Sequence, residues 1–117
     1  IPAEGMAGGF MKHGPISLVD EEMAVVVLMP TPDNEELYKS TFNSVSEMKS
    51  RGGRIIGFHF EPKQPSFDEQ VILPKVHRAL APIPQLVAGQ LLAYFIAVLL
   101  KRDPDNPRGL AKSVTVE

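Results

Sequence analysis

The stretch Met23–Met29, MAVVVLM, is a continuous apolar run that ends at Pro30. Its length and its three consecutive valines predict a β-strand. With no polar residue on either side of the pleat, the strand is expected to be buried on both faces, as in a parallel sheet. Arg54–Phe60, RIIGFHF, repeats the pattern. Between them, Glu35–Arg51 reads as a helix. Leu37, Phe42, Val45 and Met48 fall roughly on one face, charges occupy much of the other, and Gly52–Gly53 stops it. Thr31-Pro32-Asp33-Asn34 supplies the loop and the N-cap candidates. A third, short strand is expected at Val71–Leu73, after a loop over Glu61–Glu69 that holds Pro62 and Pro65. Strand, helix, strand with crossovers indicates an α/β fold on a parallel sheet.

Downstream lies Leu80–Leu100, LAPIPQLVAGQLLAYFIAVLL. A membrane span needs about 20 apolar residues. Here Pro82 and Pro84 start the segment, Gln85 and Gln90 interrupt it, and the uninterrupted apolar part is only Leu91–Leu100. A core helix, buried against a sheet or a partner subunit, is the expectation. A helix apolar on nearly all sides has neighbours on several, which points to an oligomer. Lys101 and Arg102 suit its C-terminal dipole end. His77 and Arg78 cap or lead into it and receive no catalytic role.

The ends of the chain carry the chemistry. Ile1–Gly9 reads as the end of a helix that breaks at Gly8–Gly9. Lys12–Pro15, KHGP, places His13 on a turn, beside a glycine and a proline. Histidine gives and takes protons near neutrality, so His13 is a candidate proton-transfer group, the plainer reading being a loop histidine bonded to backbone. Ile16–Leu18 is expected as a short helical turn or strand, and Asp20–Glu22 as a solvated acidic turn rather than a metal site. His59, inside a strand, reads as structural. At the far end, Asp103–Glu117, DPDNPRGLAKSVTVE, cannot continue a helix because of Pro104 and Pro107. Lys112 sits between Ala111 and Ser113. A lysine that loses hydration in a packed tail becomes an amine nucleophile toward sugar carbonyls; otherwise it is a solvated surface lysine.

Composition narrows the classes. The 117 residues suit one domain, and 44% hydrophobic content can bury a sizeable core. Net charge is -2 with no Lys/Arg cluster, which speaks against nucleic acid and anionic membrane surfaces. The absence of cysteine excludes disulfides and thiolate chemistry and suits an intracellular protein. No signal peptide is visible, and a chain starting at Ile1 is expected to be a piece of something longer.

KHGPISLVD near the start and DxPRxLAKSVTVE at the end, about one hundred residues apart, resemble the C-terminal half of the isomerase region of the glutamine–fructose-6-phosphate aminotransferase family. HGP alone occurs in other sugar isomerase (SIS) proteins; the tail is the specific part, and the resemblance runs over the whole chain. It implies a three-layer αβα sandwich of the SIS type, flavodoxin-like. Residues 1–117 would be one incomplete SIS subdomain, with 103–117 as an active-site tail. It also implies conversion of fructose 6-phosphate and glutamine to glucosamine 6-phosphate and glutamate in the cytoplasm, with no metal or other cofactor. His13 matches the family's ring-opening histidine. Lys112 matches the lysine that forms a Schiff base with the open-chain ketone, and Ala111 a backbone contact to the sugar. The family's proton-carrying carboxylate, its phosphate-binding residues and its glutaminase lie upstream of the point matching Ile1, and Glu4 matches a different glutamate. The family's histidine reaches into a neighbouring subunit's site, so a homodimer is expected, and the chain alone is expected to be inert. Phe10 departs from the pattern, where an acid commonly stands. The alternatives are another SIS sugar-phosphate isomerase or deglycase, and a non-catalytic sugar-phosphate-binding SIS module.

Overall fold

The structure is a computed structural model that describes residues 2–106. The chain divides into two compact units, Ile1–Gln85 and Leu86–Glu117. The first holds helix α1 (Gly8–Met11), a 3-10 turn at Pro15–Leu18, strand β1 (Ala24–Leu28), helix α2 (Glu35–Ser50), strands β2 (Arg54–His59) and β3 (Glu69–Ile72), and a 3-10 turn at Arg78–Leu80. Helix α3 (Pro82–Leu99) begins there and runs into the second unit.

The strands form a parallel sheet in the order β1-β2-β3, so the fold is α/β as the apolar runs indicate. Val25 pairs with Ile55, and Val27 with Gly57, which in turn pairs with Gln70. That face carries the core: Val27, Met29 and Ile55 close on Val45 and Met48 of α2, with Ile16, Val19 and Phe67 around them. α2 forms because its first turn brings Glu35 and Glu36 to the positive end of the helix and its last brings Lys49 to the negative end. It starts at Asn34 without a side-chain cap and stops at Gly52, whose φ of 92° a side chain would strain. Leu37, expected on the apolar face, is exposed.

Burial on both faces of the sheet does not hold. Val26, Leu28 and Val71 share the other face and are 42%, 52% and 41% exposed, although Phe58 between them is buried. The expected third layer is therefore not completed by the described residues. α3 differs from expectation in the same way. None of its residues is buried, and Ile83, Leu86, Leu91 and Phe95 are all at least half exposed. By length and composition Arg78–Leu99 is apolar enough to cross a membrane. The helix ends at Leu99, the positive φ of 54° at Lys101 turns the chain, and Asp103 then accepts from the backbone N–H of Asp105 and Asn106.

The link from β2 to β3 carries no helix, although parallel strands usually need a long crossover. Residues 60–68 make it, and two side chains replace the missing helix. Phe67 folds back over Gly57, where an added Cβ would lie 2.5 Å from the ring. Phe67 also meets Phe42 and His59, with ring centroids 5.9 and 5.0 Å apart. Gln70 holds the loop: its Oε1 accepts from the Gln64 backbone N–H at 2.8 Å and its Nε2 donates to the Gln64 carbonyl at 3.2 Å. The same Oε1 lies 2.9 Å from His59 Nε2. With two donors aimed at that oxygen, His59 carries its proton on Nε2. His59 is fully buried and structural, as its strand position suggested.

Gly57→Ala tests this contact. Overfilling a packed site costs about 1–3 kcal/mol, more than the modest gain from stiffening the unfolded chain. The midpoint of urea unfolding is expected to fall. An unchanged midpoint would mean that Phe67 moves aside freely.

At the other end of the link, Asp68 ties the start of β3 to β2. Its Oδ2 accepts from the Ile55 N–H at 2.8 Å and its Oδ1 from Lys49 Nζ at 3.2 Å. The backbone bond first, and then Lys49, hold the Asp68 carboxyl below its usual range. A lowered native pKa contributes stability that is present above the unfolded value, about 3.9, and fades as pH falls below it. The stability gap between wild type and Asp68→Asn should therefore narrow between about pH 5 and pH 3. A gap independent of pH in an acid titration would rule this out.

Candidate functional site

The loop around His13 is built by short-range backbone rules. α1 includes Gly8 and Gly9 instead of breaking at them, and Met11 at its end packs against the core. The His13 backbone N–H closes on the Phe10 carbonyl at 3.0 Å. Gly14 then takes φ 149°, ψ -59°, a region closed to ordinary side chains, with open space where a Cβ would stand. Glycine is needed here for its backbone and not for room. Pro15 starts the 3-10 turn with its fixed φ, and Ser17 donates from N–H and from Oγ to the Gly14 carbonyl, at 2.9 and 2.7 Å. Ile16 is buried and pins the turn. HGP thus presents the histidine on a reversal anchored at both ends by apolar residues. The His13 side chain is exposed and makes no hydrogen bond among the described residues. Phe10, the departure from the resembled pattern, is 68% exposed.

Ala111 and Lys112 lie outside the described residues. Glu4 is exposed, and Asp20 forms the expected acidic turn, accepting from the Glu22 N–H at 2.9 Å. No cluster of metal-binding side chains occurs among the described residues. His77 has a local part: its Nδ1 accepts from the Ala79 N–H at 3.2 Å and caps the 3-10 turn.

Two clefts formed by the described residues do not include His13. One, of about 340 Å³, is walled by Lys49, Gly52, Gly53, Arg54 and Asp68. Its charges are already paired within the fold, Lys49 with Asp68 and Arg54 with Glu69 at 2.7 Å. The other, of about 230 Å³, lies where the loops after the three strands meet and includes Thr31, Asp33, Glu61 and Lys75. There the neighbouring Thr31 side chain first, then the local Asp33 backbone and the charges of Arg78 and His77, keep the Asp33 carboxyl below its usual range. In open α/β sheets ligands gather at a reversal of strand order, and β1-β2-β3 contains none. The sequence reading missed the buried Thr31, which only the proline on each side of it could have suggested as fixed.

No family model matches the chain. Individual proteins do. The glutamine–fructose-6-phosphate aminotransferase [isomerizing] of Methanococcus maripaludis is 50% identical over 115 residues, 98% of this chain and 19% of the relative. That of Thermus thermophilus is 50% identical over 120 residues, 100% of this chain and 19% of the relative. Among solved structures, the C-terminal domain of glucosamine-fructose-6-phosphate aminotransferase from Francisella tularensis superposes with a TM-score of 0.76 at 34% identity, covering 88% of this chain and 29% of that one. This chain is a relative of the C-terminal domain of the isomerising aminotransferases. It spans about a fifth of the length of the curated aminotransferases it matches. The parallel α/β sheet matches the fold of that C-terminal domain. The resemblance read from KHGP and LAKSVTVE and the comparisons reach the same aminotransferase.

Proposed function

We propose that residues 1–117 act as the C-terminal SIS subdomain of an enzyme making glucosamine 6-phosphate and glutamate from fructose 6-phosphate and glutamine. The observation that carries this reading is identity of about half over the whole chain to isomerising aminotransferases. In this reading His13 moves the protons that open the fructose ring. The Lys112 amine adds to the ketone carbon and water leaves to give an iminium; ammonia released from glutamine then adds to that carbon and displaces Lys112, and the sugar imine so formed activates the neighbouring carbon. A carboxylate from the upstream part of the enzyme carries a proton between carbons 2 and 1. Residues 103–117 form the active-site tail, with the Ala111 backbone against the sugar. No metal or organic cofactor is needed, because the iminium supplies the electron sink. The working enzyme is a cytoplasmic homodimer, joined to a glutaminase and a first SIS subdomain.

The test is trapping. A protein containing this chain and the upstream SIS subdomain is incubated with fructose 6-phosphate and borohydride, and the intact and digested masses are read. A reduced sugar adduct on Lys112 is expected. The chain on its own should show neither adduct nor turnover, for want of the carboxylate and the phosphate site. No adduct on the longer protein, or one on another lysine, would overturn the assignment.

A further inference from the structure

We draw no further inference here: the strongest candidate, the unpartnered apolar surface of α3 from Ile83 to Leu99, carries none because nothing in the structure shows what covers it.

Discussion

Lys112→Met, made in the full-length protein with its glutaminase and upstream SIS subdomain, is expected to lower glucosamine 6-phosphate formation by about 10³-fold or more, because a covalent nucleophile has no substitute in its own step. Lys112→Arg should fail as fully. Arginine keeps the positive charge, but its guanidinium is not deprotonated in proteins and cannot form the imine. This pair separates chemistry from binding. If the lysine served only as a cation for the sugar phosphate, Arg would restore most of the activity. Sugar binding by calorimetry should survive in both variants, and the borohydride adduct should vanish in both. An adduct that persists in Lys112→Met would place the Schiff base on another lysine.

His13→Asn should cost about 10²–10⁴-fold in the same assay, the range for losing a positioned proton-transfer group. Asparagine leaves the loop intact, since Gly14, Pro15 and Ile16 hold the turn through backbone and packing. Glutamine hydrolysis should be spared, which would distinguish a lost proton shuttle from a misfolded protein. The exposure of His13 permits a sharper test. If the histidine completes the site of a neighbouring subunit, two dead variants can complement. In a mixed dimer of His13→Asn and Lys112→Met chains, one site receives both wild-type groups and the other neither. Random reassociation makes half the dimers mixed, so roughly a quarter of wild-type activity should return. No recovery after exchange of subunits would show that His13 serves its own chain or that the dimer is absent.

The sequence made much of this legible, for local reasons. Apolar runs closed by Pro30 and by the Gly52–Gly53 pair announced β1, α2 and β2, because burial and chain reversal leave direct marks on residue choice. β3 was displaced from Val71–Leu73 to Glu69–Ile72, since its start is held by polar contacts, Arg54 to Glu69 and Asp68 to the β2 backbone. Hydropathy does not see those. The Gly57–Phe67 contact was likewise invisible, for a glycine in an apolar run does not name its partner. Reading β1 as covered on both faces assumed that an apolar side finds its cover within the chain, and Val26 and Leu28 find none among the described residues. The candidate site divides in the same manner. The HGP turn could be foreseen because glycine and proline fix backbone angles by themselves. Lys112 was a candidate from its small neighbours and the tail's apolar residues, whereas Ala111 rests on resemblance alone.

The short link between β2 and β3 also bears on the order of assembly. Ile56 meets Glu69 across 13 positions, 69 − 56, whereas Ala24 meets Arg54 across 30, 54 − 24. Loop closure over the shorter span is favoured by about 0.7 kcal/mol of chain entropy. Phe67 and Gln70 can therefore fasten the parallel β2–β3 pair before α2 docks. In that sequence of events β1 joins an edge that already exists, and the slow search is left to the longer crossover.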